Sequence, residues 1–193
     1  MKRPLEGIRI LDFTIFQQGG YATVILADLG AEIIKIERPF LGDFGRFLDI
    51  FRAGEQTVSA YFLAHDRGKR SVTLDLSKPV ACEVIARLVA DVDVVTHNFR
   101  PGVMERLGLG YDDLVKFNPK LVYAAASGWG TEGPSALRPA FDIAAQAQSG
   151  LIAATGDEAG HPVPAGAAIA DHVGAVNLAL AVVAALLRRE RTG

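Results

Sequence analysis

The strongest constraint on this chain is a regular alternation of short apolar runs with longer helical patterns. Strand-like runs occur at "IRILDFT", "EIIKIE", "RSVTLDL", "DVVTHNF" and "KLVYAAAS", and helix-like stretches lie between most of them. Parallel strands covered on both faces form continuous apolar runs, and a helix usually connects each strand to the next. The sequence therefore predicts an α/β fold with a mostly parallel, Rossmann-like sheet and helices on both faces.

Ligands of such a fold bind beyond the carboxyl ends of the strands. The candidate loops therefore follow Thr14, Glu37, Leu76, Asn98 and Ser127. Residues 38–60 form the longest stretch without clear periodicity, which is typical of a functional loop. Cationic and polar side chains are predicted near the strand ends, at Arg38, Lys69, Arg70, Lys78, Asn98, Arg100 and Arg106. Arginines at this edge suit a phosphorylated ligand, because guanidinium pairs with phosphate oxygens.

Composition excludes several other classes of protein. The 193 residues are 50% hydrophobic with a formal charge of -2, which predicts one globular domain over residues 1–193. The balance of 20 Lys and Arg against 22 Asp and Glu argues against nucleic-acid binding. A single cysteine, Cys82, excludes an internal disulfide. The four histidines show no metal-binding spacing, so no metal site is predicted.

A dinucleotide site is disfavoured by the first glycine turn. Strand, turn, helix and a second strand ending in Glu37 resemble a Rossmann unit. However, Gly19 and Gly20 are adjacent in "QQGGYATVILADLG", and no third glycine follows at the spacing that a pyrophosphate requires.

Asp171 stands near the start of the apolar stretch "PAGAAIADHVGAVNLALAVVAALL". It could cap the helix that follows, which composition favours, or it could do chemistry. The apolar run from Val173 to Leu187 spans about 22 Å as a helix, short of a hydrocarbon core of about 30 Å. It is predicted to be a helix buried in protein, with no membrane contact. The first residues lack a signal-peptide core, so a cytoplasmic location is expected.

Several stretches together resemble the class III coenzyme A transferases, which include formyl-CoA transferase, carnitine CoA-transferases and α-methylacyl-CoA racemases. The most specific are "ADLGAEIIKIE", "NFRPGVMERLGLGYDDL" and "AAIADHVGA", and they follow the family's order. The resemblance implies that residues 1–193 form the large, CoA-binding N-terminal domain. A smaller second domain is absent from this sequence.

The resemblance also implies roles for individual residues. Asp171 matches the catalytic aspartate, which forms a mixed anhydride and then an aspartyl-CoA thioester. Gln17 matches a glutamine that could stabilise developing negative charge. The positions implied to contact CoA are Arg38, Leu74, Asn98, Phe99, Arg106 and, less directly, Arg138. Coenzyme A is expected as a co-substrate with no permanently bound cofactor, and the other partners are an acyl-CoA and an acceptor carboxylic acid.

Two departures from the family bear on function. Phe141 stands where the racemases have a proton-transferring histidine, so CoA transfer is favoured over racemisation. Gln18, Gly19 and Gly20 replace a common Ala-Gly-Pro sequence, which leaves the shape of that loop open. Because relatives have a second half, the expected assembly is an interlinked homodimer or a complex with a second polypeptide. A truncated protein that binds CoA without turnover is the alternative.

Overall fold

The computed structural model describes residues 2–193. Its strands are β1 (Arg9–Asp12), β2 (Glu32–Glu37), β3 (Ile50–Ala53), β4 (Gln56–Ser59), β5 (Lys69–Thr73), β6 (Val94–His97) and β7 (Val122–Ala125). The main sheet has the order β5-β2-β1-β6-β7, and every neighbouring pair in it is parallel. The strands β3 and β4 form a separate antiparallel hairpin. The predicted mostly parallel α/β sheet is confirmed.

Helices follow the strands as the sequence pattern predicts. They are α1 (Phe16–Asp28), α2 (Ala60–Asp66), α3 (Pro79–Val89), α4 (Val103–Arg106), α5 (Tyr111–Leu114), α6 (Asp142–Gln148), α7 (Leu151–Ala154) and α8 (Ile169–Thr192). Pro79 occupies the first turn of α3, where its missing N–H costs no helical hydrogen bond. Gly30 follows α1 with a φ of 110°, a conformation that stops the helix.

Neighbouring residues of β1 divide the core into two layers. Side chains alternate across a strand, so Ile10 and Leu11 point to opposite faces of the sheet. Ile10 packs in a cluster with Leu26 of α1 and Val182 of α8. Leu11 packs in a second cluster that includes Ile85 of α3. Helices α1 and α8 therefore cover one face of the sheet, and α3 covers the other.

Helix α8 is buried on one side only. It is long and apolar enough to cross a membrane by length and composition, the single such helix among residues 2–193. Its inner face buries Ala179, Val182 and Leu186 against the sheet. Its outer face leaves Val173 55% and Leu180 64% exposed. The prediction of a helix buried in protein is therefore correct for the inner face and wrong for the outer face.

Residues 38–60 contain more regular structure than their sequence indicated. A 3₁₀ helix covers Phe44–Phe47, and the hairpin of β3 and β4 follows it. All four residues of β3 are exposed, so this strand lacks the alternation of a half-buried strand. The segment exposes a series of large apolar side chains, namely Phe40, Leu41, Phe44, Phe47, Leu48, Ile50 and Phe51.

Five buried charges link strands to loops in the interior. Lys35 on β2 has a side chain only 1% exposed, and its Nζ lies 2.9 Å from the Asp43 carboxylate and 3.1 Å from that of Asp66. Lys69 on β5 places its Nζ 2.7 Å from Asp66 and 3.2 Å from Asp12. Charges this deeply buried are tolerated only because each has an opposite charge as a partner.

This ion network holds two loops in place. The Lys35 ammonium donates to the carbonyl of Thr14 at 2.8 Å, in the loop between β1 and α1. Asp12 accepts hydrogen bonds from the backbone and hydroxyl of the same threonine. Asp43 accepts from the backbone N–H of Phe16, the first residue of α1, at 3.4 Å. The β1–α1 loop and the loop after β2 are therefore bound to one set of charges.

The network sets the protonation of its members. Burial by itself raises the pKa of Asp12, but the ammonium groups of Lys69 and Lys35 bring that pKa below its usual value. Burial lowers the pKa of Lys35, and the carboxylates of Asp12, Asp66 and Asp43 outweigh that effect and raise it. The Asp12 carboxylate and the Lys35 ammonium therefore stay charged at neutral pH.

Two of the cations expected at the ligand edge lie elsewhere. Lys69 begins β5, and its ammonium group is paired with Asp12 and Asp66 in the ion network. Arg70 pairs with Glu32, the first residue of β2, at the opposite, amino-terminal edge of the sheet. The prediction that both face a ligand is wrong, because Lys69 and Arg70 are the first two residues of β5 and lie at the amino end of that strand rather than at its carboxyl end.

Replacing Lys35 by methionine is expected to destabilise the fold by about 3–5 kcal/mol, because the buried carboxylates lose a partner. Urea unfolding monitored by circular dichroism measures the change. Arg70→Met is the matched control, since its exposed ion pair contributes about 1 kcal/mol or less. Equal, small losses in both variants would contradict the structural role of the network.

Candidate functional site

A cleft of about 330 Å³ opens at the carboxyl edge of the sheet. It lies among the ends of β1, β2 and β5 and the segment after β6. Its lining is mainly apolar and includes three of the residues implied to contact CoA, namely Arg38, Leu74 and Phe99. Phe13, Ile15, Ile36, Phe44 and Leu76 add further apolar surface. The structure thus brings these three predicted residues together, as the edge rule for parallel sheets predicts.

Arg38 supplies the positive charge at this cleft. Its guanidinium lies 3.8 Å from the centre of the Phe44 ring, and its Nε donates to the Gly42 carbonyl at 3.3 Å. No carboxylate within residues 2–193 forms an ion pair with it. By contrast, Arg46 in the same segment is bound by two hydrogen bonds to Glu37. Arg38 therefore keeps its charge available for an anionic ligand.

Asn98 lies outside the lining of the cleft, and its implied contact with CoA stays a prediction. Its Oδ1 accepts from the N–H of Ile15 and its Nδ2 donates to the Ile15 carbonyl, both at 2.8 Å. The amide is thus engaged on both sides with the β1–α1 loop, and it fixes the backbone that lines the cleft.

Arg106 and Arg138 lie outside the lining of the cleft. Arg106 ends α4 and is exposed. Arg138, also exposed, lies before α6 with its guanidinium 5.7 Å from the centre of the Trp129 ring. Their implied contacts with CoA stay predictions.

Asp171 is not the cap of its helix. Helix α8 begins at Ile169, so Asp171 is its third residue, and Ala168 at the cap position makes no side-chain hydrogen bond. The backbone N–H of Asp171 is instead satisfied by Asp142 of α6, whose Oδ1 accepts it at 3.1 Å. The capping hypothesis that composition favoured is therefore wrong. The carboxylate has no structural task at the helix end.

The half-buried position of Asp171 perturbs its ionisation. Burial raises the pKa of this carboxyl, and the negative charge of Asp142 raises it further. The positive end of the α8 dipole favours the ionised form within this first turn. The negative charge of Asp171 adds to burial in raising the pKa of Tyr61.

Gln17 reaches the start of α8 from the start of α1. Its Nε2 lies 3.1 Å from Nδ1 of His172, the residue after Asp171. Close helix packing allows this approach, because a Cβ at Gly174 would already lie 3.3 Å from Cγ of Gln18. A Cβ at Gly19 would stand 2.2 Å from Cβ of Thr14, so only glycine fits there. The open question about this loop is thereby answered.

The cleft and the start of α1 are connected through two stacked rings. Phe44 lines the cleft, and its ring lies parallel to that of Phe16 with 5.5 Å between the ring centres. Phe16 immediately precedes Gln17 and has a φ of 58°, a strained value for a residue with a side chain. Such strain is typical of functional sites. Phe16 therefore links the cleft to Gln17, whose amide contacts His172, the residue after Asp171.

The residues around Asp171 include Tyr61, His65, Asp142 and His172. The first three were not singled out for this site from the sequence, whereas His172 could be expected to line it from its position next to Asp171. His172 and His65 have ring centres 6.1 Å apart, and Tyr61 lies 4.4 Å from His65. Their sequence positions on three different helices give no common spacing, so only the adjacency of His172 to Asp171 offered a signal.

Comparison with known proteins identifies the family. The family model for CoA-transferase family III matches residues 5–193, and the chain belongs to this family. A CaiB/BaiF family protein from Brucella suis has a crystal structure similar to this chain, with a TM-score of 0.94 and 35% identity. The match covers 100% of this chain and 51% of that one.

Curated relatives are named as CoA-transferases. The probable fatty acyl-CoA transferase Rv3272 of Mycobacterium tuberculosis is 42% identical over 99% of this chain and 48% of its own length. The acetyl-CoA:oxalate CoA-transferase of Acetobacter aceti is 42% identical over 100% of this chain and 49% of its own. The mouse succinyl-CoA:glutarate CoA-transferase is 40% identical over 99% of this chain and 43% of its own length. The chain thus spans about half the length of these relatives.

Replacing Arg38 by alanine is expected to weaken the binding of free coenzyme A by about 1.5–3 kcal/mol, the value of a charge-assisted hydrogen bond. Isothermal titration calorimetry with coenzyme A measures the change. Arg70→Ala is the control, because Arg70 is also an exposed arginine but lies at the other edge of the sheet. Unchanged affinity for coenzyme A in Arg38→Ala would contradict a role of the cleft in CoA binding.

Proposed function

We propose that this chain carries the catalytic residues of a class III CoA-transferase, which moves CoA from an acyl-CoA to a carboxylic acid through Asp171. One observation carries the proposal. Asp171 is a half-buried carboxylate that does not cap its helix, and the residue after it contacts Gln17. The residue before Gln17 stacks on Phe44, which lines the cleft that contains the available charge of Arg38. Family membership supports the same class of reaction.

Asp171 acts as the nucleophile in this mechanism. Its carboxylate oxygen attacks the thioester carbonyl, the C–S bond breaks, and CoA leaves as the thiolate. A mixed anhydride between the acyl group and Asp171 remains. The thiolate then attacks the aspartyl carbonyl of the anhydride and releases the donor acid as its carboxylate. The product is an aspartyl-CoA thioester.

The second half of the reaction repeats these steps with the acceptor. The acceptor carboxylate attacks the aspartyl thioester, CoA leaves as the thiolate, and a new mixed anhydride forms. The thiolate attacks the acceptor's carbonyl carbon, and the Asp171 carboxylate is regenerated. These steps replace a direct exchange of CoA between the two acids, which would have no activated intermediate. No net proton is taken up or released.

Gln17 stabilises the oxyanion of each tetrahedral intermediate in the proposal. An amide N–H donor aimed at a developing oxyanion is typically worth a factor of about 10²–10³ in kcat. The amino end of α8 contributes in the same direction, because its partial positive charge favours the negative charge that moves between Asp171 and the thiolate.

The cleft holds the CoA portion of the substrate. Arg38 binds a phosphate group, while Leu74 and Phe99 contact its apolar portions. The names of the relatives support acyl-CoA and carboxylic acid substrates as a class. Phe141 is 68% exposed and immediately precedes Asp142. Phenylalanine cannot exchange a proton with a substrate, so CoA transfer is favoured over racemisation.

Two exposed apolar surfaces are the basis for proposing an additional structural partner. One is the outer face of α8, and the other is the exposed segment Phe40–Phe51. Patches of this kind mark interaction sites in many proteins. The proposed cover is the second half that relatives possess, within an interlinked homodimer or on a second polypeptide. The proposed location is the cytoplasm. A CoA-binding protein without turnover is the alternative.

Mass spectrometry of the intact protein tests the nucleophile. Incubation with a panel of acyl-CoAs is expected to add an acyl or CoA mass to the protein, and peptide mapping is expected to locate it on Asp171. In Asp171→Asn the adduct should disappear, and the transfer rate should fall by at least about 10³-fold. Asp157→Asn, an exposed carboxylate paired with His161, is the matched control. An Asp171→Asn protein with the wild-type rate would contradict covalent catalysis. Specific CoA binding with no adduct in the wild type would favour the alternative.

The acidic limb of the pH profile is expected to move when Asp142 is replaced by asparagine. The charge of Asp142 raises the pKa of Asp171, so its removal lowers that pKa and shifts the limb of kcat/KM to lower pH. Asparagine retains an oxygen that accepts the Asp171 N–H, while its Nδ2 replaces the oxygen to which Nε2 of Gln146 donates. Kinetics from pH 4 to pH 8 measure the shift, with Asp157→Asn as the control. A limb that stays in place or moves to higher pH would exclude this coupling.

A further inference from the structure

The carboxamide of Gln17 needs a support if it is to serve as an oxyanion donor. A glutamine side chain has three rotatable bonds, and catalytic groups act efficiently only when packing fixes their rotamers. Within the described chain, the side chain of Gln17 has hydrogen-bond-distance contacts with one residue, His172. The support for Gln17 is therefore to be found in the geometry of that imidazole.

Gln17 lies against the face of the His172 ring. Its Nε2 is 3.1 Å from Nδ1 and 3.4 Å from Nε2 of the ring. An atom in the ring plane cannot be that close to both nitrogens without colliding with the carbon between them. The amide nitrogen therefore lies over the ring face, where an N–H group interacts weakly with the π system. This contact leaves the second N–H group and the carbonyl oxygen of the Gln17 amide available for other hydrogen bonds. It also leaves the ring nitrogens of His172 able to form hydrogen bonds in the plane of the ring.

The imidazole itself is held by α8 and α1. Nδ1 of His172 lies 2.9 Å from the carbonyl oxygen of Ala168, one turn earlier. A carbonyl oxygen can only accept, so Nδ1 carries the proton in this bond. Tyr21 packs on the ring with its own ring at 72° and 5.0 Å between the centres. These contacts fix the plane of the imidazole relative to Asp171.

We propose that His172 is a positioning residue for CoA transfer. Its ring, fixed by the Nδ1–H bond to Ala168 and by Tyr21, is the platform that holds the Gln17 carboxamide beside Asp171, with one N–H group on the ring face and the other free for the oxyanion. This inference depends on the proposed function for its kinetic consequence, but the positioning itself is a property of the chain. His172 does not touch the reacting atoms in this arrangement.

The same helix provides a conservative variant and a matched control. Nδ2 of Asn177 donates to the Val173 carbonyl, one turn earlier, at 2.9 Å. Asparagine at position 172 can therefore keep both a planar group and the bond to Ala168, whereas alanine keeps neither. Asn177→Ala removes the equivalent bond from the exposed side of α8, and it controls for general effects on the helix.

Nuclear magnetic resonance tests the positioning without any substrate. The ring of His172 is expected to be in the Nδ1–H tautomer, as judged from its ¹⁵N chemical shifts. The side-chain order parameter of Gln17 Nε2 is expected to be high, to fall in His172→Ala, and to be largely retained in His172→Asn and Asn177→Ala. An Nε2–H tautomer, or an unchanged Gln17 order parameter in His172→Ala, would overturn the proposal.

A double-mutant cycle tests the consequence for catalysis. His172→Ala is expected to lower kcat by about 10–10²-fold, because a misplaced group loses much of its effect, while KM for the acyl-CoA stays within about 3-fold. The same substitution in a Gln17→Ala background is expected to add almost nothing, since its effect passes through Gln17. His172→Asn should restore most of kcat, and Asn177→Ala should leave it unchanged.

Additive losses in the cycle would overturn the positioning role, and so would a selective loss in KM. If the wild type transfers no CoA, the proposed function fails, and the resonance experiments alone decide whether His172 positions Gln17. The two proposals can therefore fail separately.

Discussion

The buried ion network is the interaction on which the rest of the site depends. It brings charges from β1, β2, α2, β5 and the segment after β2 into contact within a few ångströms. Because an unpaired charge in this interior is strongly unfavourable, the loops can adopt only arrangements that keep the pairs intact. The network thereby gives the β1–α1 loop one conformation.

The consequences of that constraint extend to the candidate site. The N–H of Phe16 bonds to Asp43, and the residue keeps a left-handed backbone that isolated chains avoid. Gln17 follows directly, and its amide then reaches the first turn of α8. Asn98 secures the same loop from the other side through Ile15. A rigid loop at this position suits electrostatic catalysis, because donors fixed in advance need not reorganise during the reaction.

The carboxylates of this domain are divided into two groups by their neighbours. Asp12 lies beside two ammonium groups, and its pKa is lowered despite complete burial. Asp171 is less deeply buried but has Asp142 rather than a cation beside it, and its pKa is raised. A carboxylate bound tightly by cations is a poor nucleophile, whereas one without such partners is free to attack. The distribution of lysines therefore separates Asp12, a structural carboxylate, from Asp171, the proposed nucleophile.

The sequence by itself determined the fold class and the edge where the site would lie. Apolar strands such as "EIIKIE" and the helix start at Pro79 follow from local physics, since burial on both faces and backbone preferences act on neighbouring residues. The family motifs located Asp171, Gln17 and Arg38. Residues 38–60 were harder to interpret, because an exposed hairpin has no buried face to impose alternation. Only the tertiary structure decided that Lys69 is an interior cation, that Asp171 is not a cap, and that His172 supports Gln17. Each of these depends on contacts between segments far apart in the chain, and such contacts leave no periodic pattern in the sequence.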